Sequence, residues 1–562
     1  MSSSVDVVLD SNARSIHLNG DCQIFSLGSV LDPARINLGD HRPRVVSVLS
    51  PADIRRRRLN PALDAFEERS VLRLTVENER VHRHARARRL LSTTVFAYIH
   101  CGETVVGFGE GGSESMTIFV RKDGEAGITV RKILSEALTT ARWDPDGVGV
   151  MLPPFAKAHR QAQYLHALPP SVREFFPAVH DVIERDIPIP PRGRTTVWAS
   201  HREVIYEMSY VPGEEVSRYV ARCSPPPAVI ARLYEQIHRL LHEKVHSFGR
   251  TPAPGPTVDV SYLRKIEDRL GLCRATAPMT FGPDLLDSER IVINGVSYLN
   301  SSTLLARFRS RPDFLRVLEP RFHSLVMGDT NTENIKLTDT TPLENARRLI
   351  EAGASRDAID RALAAITYES TGITFLDPRA IGFQGEGGET RDDPMYDNKP
   401  WHNSIGHYDE IHAEHFSMRV RGGPTPQVDI EFVPGNPYQA AYRVRDVTVH
   451  GEAVDESAPR GMEDYFKRVM TDVYDLGNPE SPCLRDDPYW LIRFVFIMGA
   501  HFTAMPPFHF HAEMNGTLRD TYHAQRRPVA IYCEGVKWLN WALEMLEGTR
   551  TEFLGIRVPS LP

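Results

Sequence analysis

Cysteine is scarce and scattered in this sequence. Its six thiols, Cys22, Cys101, Cys223, Cys273, Cys483 and Cys533, form no C-x-x-C pair. That spacing excludes a thiolate zinc site and offers no disulfide framework, so reduced thiols are expected. Charge of one sign is also lacking: 66 Lys and Arg stand against 73 Asp and Glu, a net of −7. The chain as a whole is therefore not drawn to nucleic acid or an anionic membrane, and no nucleic-acid partner is expected. No apolar run is long enough for a bilayer span. The longest, Trp490 to Met505, carries Arg493 and His501 and reads as a buried helix. The first residues, MSSSVDVVLDSNARS, show no basic stretch leading into an apolar one, so a cytoplasmic location is expected. Internal repeats and long low-complexity stretches are missing. With 41% hydrophobic and 25% charged residues the composition is that of a globular chain, and its length leaves room for about two to four domains.

What is present falls into three stretches. Residues 1–95 read as a small separate unit. Alternation at Ser15–Leu18 and Cys22–Phe25 predicts short strands, and two arginine clusters follow at Arg55–Arg58 and within His82–Arg89. Acidic residues such as Glu67, Glu77 and Glu79 are interleaved with them, which favours a solvated helix face over an anion-binding patch. Residues 96–213 are β-rich. Thr94–His100, Met116–Val120, Ile128–Ile133 and Val204–Val211 read as strands, and Lys122–Gly127 reads as a hairpin connection. From 214 to 562 the period turns helical. Val229, Leu233, Ile237, Leu240 and Leu241 share one face after Pro225–Pro227, and Tyr262, Leu263, Ile266 and Leu270 repeat the spacing. A helical insert is expected at 341–366, opened by a capping box at Thr341-Pro-Leu-Glu344, with Ser355 capping a second short helix. Helices near 487–504 and 528–547 close the chain.

Three segments carry residues suited to one chemistry. In Val326-Met-Gly-Asp329-Thr-Asn-Thr-Glu-Asn334 an apolar approach ends at a glycine, then a carboxylate and an amide follow five residues apart. A short loop can aim both at one point. The carboxylate can take a proton from a hydroxyl, and the amide oxygen suits Mg2+, a hard ion. D-x4-N alone is a common spacing. Ile373-Thr-Phe-Leu-Asp377-Pro ends an apolar strand on a lone carboxylate, which calls for a partner such as a metal unless Asp-Pro only opens a turn. Upstream, Gly107-Phe-Gly109-Glu-Gly-Gly112-Ser113 fits G-x-G-x-x-G but lies between strands. It is therefore not a dinucleotide turn and can instead cover nucleotide phosphates. Lys132 then sits in an apolar strand. Its neighbour Arg131 points to the opposite face, so one of the two is expected inward; a surface lysine on an edge strand is the alternative.

The order of these pieces is that of a kinase. The sequence resembles the aminoglycoside phosphotransferase and choline-kinase-like family of small-molecule kinases. Met327–Asn334 looks like the family's H-G-D-x4-N loop, and Phe375–Arg379 looks like its second metal-binding segment. Asp393-Pro-Met-Tyr-Asp397-Asn-Lys399 is similar to the D-P-x-x-D stretch with its following lysine. His402–Asp409 resembles phosphotransferase-like proteins associated with capsule and surface-polysaccharide biosynthesis. The resemblance spans roughly 100–545. It implies an α+β, two-lobed, protein-kinase-like fold with a small extra N-terminal domain, and transfer of phosphate from ATP to a hydroxyl of a small molecule or saccharide. By the same resemblance Asp329 is the catalytic base, and Asn334 and Asp377 bind Mg2+. Gly107, Gly109, Gly112, Ser113 and Lys132 hold the ATP phosphates, and the backbone at Glu207 and Met208 meets the adenine edge. Asp397 is structural.

The departures from the family pattern define the alternatives. Met327 stands where the family commonly has histidine, and the partner of Lys132 is open among Glu136, Gln161, Gln163 and Glu174. A pseudokinase-like scaffold is therefore a second reading. Nucleotidyl transfer, or action on a protein, is a third. The histidines His402, His407, His412, His415, His509 and His511 have nitrogen-rich spacing, but core or surface roles are favoured over zinc. Trp401 suits core packing better than sugar stacking. Asp409, Glu410, Glu414 and Glu513 are candidate contacts for an amino group.

Overall fold

The computed structural model describes residues 5–7, 43–45, 103–108, 116–122, 124–135, 154–189, 199–378, 383–384, 390–443, 461–476, 478, 480–509 and 525–561. The expected strands at Ser15–Leu18, Cys22–Phe25 and Thr94–His100, both arginine clusters, and Gly109, Gly112, Ser113, Glu136, His511 and Glu513 lie outside these residues. The chain divides into two units. One comprises Met1–Gly147, Leu152–Ala162 and Ala178–Tyr210; the other comprises Val148–Met151, Gln163–Pro177 and Val211–Pro562. Strands dominate the first and helices the second, an α+β arrangement.

Of residues 1–95, the strands β1 (Val5–Val7) and β2 (Pro43–Val45) are described, and they pair in parallel. The main sheet of the first unit has five antiparallel strands: β3 (Glu103–Phe108), β4 (Met116–Lys122), β5 (Thr129–Ser135), β6 (Val179–Ile189) and β7 (Ala199–Ser209), in the order β3-β4-β5-β7-β6. The β4–β5 connection is the hairpin its glycines predict, and Glu125 N bonds Lys122 O at 3.0 Å. Ile118, Val120, Val130, Ile133 and Val204 form its buried apolar set.

The helix α1 (Pro154–Ala167) belongs to the first unit up to Ala162 and to the second from Gln163, and α2 (Pro227–Leu240) lies in the second. Val229, Leu233, Ile237 and Leu240 are fully buried on it, as the three- and four-residue spacing requires. A π turn, Leu241–Val245, extends this helix. The insert forms α3 (Thr341–Glu351) and α4 (Arg356–Ala364), the second starting just after Ser355. The expected capping box at Thr341 does not form. Thr341 is already helical, and its N–H bonds Asp339 Oδ1 at 2.8 Å, while Glu344 takes Arg347 at 2.9 Å. Asp339, two residues upstream, accepts the Thr341 N–H that the box would give to the Glu344 side chain. Every residue of α6 (Trp490–Thr503) is buried, and it packs on α7 (Arg526–Leu546); the short α5 (Tyr408–His412) precedes them. These two helices touch through glycines: a Cβ on Gly499 would sit 2.7 Å from Leu539 N. No described helix is long and apolar enough to cross a membrane.

Candidate active site

The D-x4-N loop follows the buried strand Phe322–Leu325. At Gly328 the backbone turns left-handed, with φ of 79°, a conformation that glycine adopts without a Cβ clash. The turn aims two successive N–H groups at one carboxylate. Met327 N bonds Asp397 Oδ2 at 2.7 Å and Gly328 N bonds Asp397 Oδ1 at 2.6 Å. His246 Nε2 lies 2.9 Å from the same Oδ2, and Thr330 Oγ1 donates to the Asp397 carbonyl at 2.7 Å. Asp397 ends a 3-10 turn, Pro394–Asp397, whose cap Asp393 accepts from Met395 N and pairs with the buried Arg493. Tyr164 OH donates to Val326 O at 2.8 Å, one residue before the turn.

The loop's own carboxylate is buried. Asp329 Oδ1 accepts from Lys399 Nζ at 2.7 Å and from Asn331 Nδ2 at 3.1 Å, and Lys399 Nζ also reaches Gly328 O at 3.3 Å. Met327 Sδ accepts from Asp329 N at 3.1 Å. Met327 therefore supports the loop through its sulfur and backbone. An imidazole does reach the anchor, but it belongs to His246, on the segment that follows α2.

Asn334 is oriented by the loop. Its Nδ2 donates to Asp329 O at 3.1 Å, which leaves the amide oxygen as the atom to offer a hard cation. The strand Ile335–Leu337 pairs antiparallel with Ile373–Phe375, and Leu376 N bonds Asn334 O at 2.7 Å. That pairing closes the sequence gap made by the helical insert, so Asp377 follows directly on the residue bonded to Asn334. Asp377 has φ of 53°, a left-handed backbone rarely adopted by non-glycine residues. The backbone thus brings Asn334 and Asp377 to adjoining positions, and their amide oxygen and carboxylate are donor types that suit an oxygen-seeking divalent ion.

A second layer of buried polar groups underlies the loop. Thr332 N bonds Asn403 Oδ1 at 3.1 Å, Asn403 Nδ2 bonds Asp409 Oδ1 at 2.5 Å, and Tyr442 OH bonds Asp409 Oδ2 at 2.6 Å. Burial pushes the Asp409 carboxyl up to about 7 despite these donors. Glu410 holds His407 Nδ1 at 2.6 Å and Asn436 Nδ2 at 2.8 Å, and Glu414 pairs with Arg526 and Arg527. These carboxylates are thus engaged by the protein's own donors. Trp401 is wholly buried among Tyr234, His238 and Phe466, a core residue. His402 is also wholly buried, and its ring stacks on Phe502. Among the described residues no group of three or more His, Cys, Asp or Glu side chains could hold a metal.

In the first unit Lys132 is buried on β5, and its Nζ is 3.5 Å from Gln161 Oε1 on α1. Tyr206 OH donates to that same oxygen at 2.7 Å. Arg131 is buried too, which corrects the expectation that one of the pair would face solvent. Its guanidinium bonds Glu103 of β3 at 2.7 Å and Glu207 of β7 at 3.0 Å, so the opposite face of the sheet is closed by carboxylates. Burial pushes the Glu207 carboxyl up, but hydrogen bonds from Arg131 and Lys122 outweigh it and hold it below the ordinary range. Glu207 and Met208 lie inside β7, register-paired with both β5 and β6. Gly107 lies in β3 beside a register shift at Val105. No protein-family model matches the chain, and no curated protein matches it.

Two contributors, His246 and Tyr164, carry no signal at the sequence level, whereas Lys399 carries one as the lysine of the Asp393–Lys399 stretch. Lys399 and Tyr164 bond the loop segment from 70 and 162 residues away, and His246 bonds its anchor Asp397 from 151 residues away.

Proposed function

We propose that the chain is an ATP- and Mg2+-dependent phosphotransferase of kinase-like, two-lobed fold, acting on a hydroxyl of a small molecule or saccharide. The observation that carries this reading is the Asp397 anchor. A buried carboxylate grips the N–H groups of Met327 and Gly328, and the loop it steadies holds Asp329 and Asn334 with Asp377 at the adjoining position. In this reading Asp329 orients the acceptor hydroxyl and takes its proton. Asn334 and Asp377 hold Mg2+, which when bound neutralises charge on the phosphoryl group. Lys132 and the glycine-rich segment are assigned the ATP phosphates. Little covalent chemistry falls to the protein, so positioning and fixed charge supply most of the rate.

One observation favours a second reading, a nucleotide-binding scaffold without turnover. Lys132 Nζ lies 3.5 Å from the neutral Gln161 Oε1, and a neutral acceptor orients an ammonium more weakly than a charged one. The test is ADP release from MgATP across sugars, amino sugars, aminoglycosides and choline-like alcohols, with Asp329→Asn as control. Acceptor-dependent release that is lost in the variant supports the phosphotransferase. Nucleotide-dependent thermal stabilisation without turnover supports the scaffold. Identifying which phosphate reaches the product separates phosphoryl from nucleotidyl transfer.

A further inference from the structure

We infer that Lys399 is a positioning residue for the Asp329 carboxylate, a role that rests on the phosphotransferase reading above. The ammonium lies 2.7 Å from Asp329 Oδ1 and 3.3 Å from Gly328 O, and both charged side chains are nearly sealed from water, at 5% and 4% exposure. A carboxylate buried this deeply is tolerated when a countercharge compensates it. Lys399 is that countercharge, and Asn331 adds a neutral donor to the same oxygen at 3.1 Å. The source of the lysine matters. It comes two residues after Asp397, whose carboxylate holds the loop backbone. One short segment therefore fixes both the backbone at Met327–Gly328 and the side chain at Asp329. The segment is itself stiff. A 3-10 turn precedes Lys399, Pro400 follows it, and its Nζ lies 5.1 Å from the centre of the Tyr396 ring. Without the ammonium, Asp329 Oδ1 keeps the neutral Asn331 donor but loses the charge that offsets its burial, and its hold on the reactive orientation weakens. Lys399 acts through Asp329, so its effect belongs in turnover and not in nucleotide affinity.

The experiment is a double-mutant cycle on the full chain, with MgATP and water as the acceptor and ADP release as the readout. Lys399→Met is expected to lower kcat about 100-fold, the size of losing one preorganised electrostatic contact, and to change KM for ATP less than about threefold. Asp329→Asn/Lys399→Met is expected to be no slower than Asp329→Asn alone, within about threefold, because groups acting as a unit are not additive. A lysine that only stabilised the fold would not show that non-additivity. Should the methionine variant fail to fold, Lys399→Gln, which keeps a donor near Oδ1, carries the same cycle with the same expected outcome. A kcat within about threefold of wild type in the folded lysine variant, or losses that multiply in the double variant, overturns the inference while leaving the phosphotransferase standing. A wild-type chain that turns over no MgATP, with water or with any acceptor in the panel, overturns both.

Discussion

Asparagine at position 397 tests how the loop is held. The carboxylate there is fully buried and accepts from Met327 N at 2.7 Å, Gly328 N at 2.6 Å and His246 Nε2 at 2.9 Å. An amide of nearly the same volume offers one acceptor oxygen and one NH2 group. Whichever way it sits, one backbone N–H of the loop faces another donor. Loss of a hydrogen bond to a charged group is worth about 1.5–3 kcal/mol, and the orphaned buried N–H adds roughly 1–3 kcal/mol. Asp397→Asn is therefore expected to cost about 3–5 kcal/mol, a large share of a typical stability of about 5–15 kcal/mol. The assay is urea unfolding at pH 7 by far-UV circular dichroism, with midpoint and slope both compared.

The control lies five residues upstream. Burial pushes the Asp392 carboxyl up to about 7, so a neutral amide replaces a group that is already half neutral at that pH. Its Oδ1 can still accept from Asp393 N, a bond of 2.8 Å in the native chain. Asp392→Asn is expected to cost less than about 1 kcal/mol. An Asp397→Asn midpoint equal to wild type would refute the anchor. Equal losses at both positions would refute the argument that the backbone donors, and not burial alone, make position 397 sensitive.

Other consequences follow from the same packing. Arg131→Met removes the guanidinium that Glu103 and Glu207 share at 4% and 9% exposure, while Lys122 still pairs with Glu207, and thermal unfolding should show a loss of about 3 kcal/mol; Glu207→Gln in the same chain should recover part of it. Burial pushes Asp392 and Asp409 each up to about 7, above the unfolded value of about 3.9. The folded state therefore holds protons that the unfolded chain releases, and this contribution to stability falls as pH rises from about 4 to 7. Asp409→Asn should flatten that slope in a series of unfolding midpoints; an unchanged slope would sink the assignment. Trp401→Ala should lower the unfolding free energy by about 3–5 kcal/mol through the cavity it leaves, read as a lower urea midpoint, whereas a sugar-stacking residue would affect acceptor KM and leave the midpoint in place.

Local structure is legible in the sequence where a period or a turn chemistry dictates it. The β4–β5 hairpin follows from alternation broken by Asp-Gly and Gly. The α2 face follows from Val229, Leu233 and Ile237, and the insert helices follow from their spacing, with Ser355 at the N-cap position of the second but making no side-chain cap bond. Two local readings fail for identifiable reasons. Period two puts Arg131 and Lys132 on opposite faces, and they are on opposite faces. It does not reveal that Glu103 and Glu207 close the second face, because those carboxylates come from other strands. The Thr341 box has the right residues in the right order, yet Asp339 reaches the same N–H first. A motif names competent side chains, and the backbone path selects among them.

The loop itself shows where sequence reading stops. D-x4-N is visible as a string, but what holds it is assembled from far along the chain: Tyr164 before it, His246 just past α2, Asp397 and Lys399 after the insert. Met327 in the histidine position looks like a lost support when the loop is taken alone. In three dimensions the loop backbone is gripped by Asp397, and the imidazole that meets that carboxylate is His246. The requirement the fold meets is chemical: two buried N–H groups need an acceptor, and a buried carboxylate needs a cation. Any segment that can deliver those groups satisfies it. For that reason the identity of the residue beside the loop is a weak guide to whether the loop is intact, and the pair Asp397 and Lys399 is the stronger one.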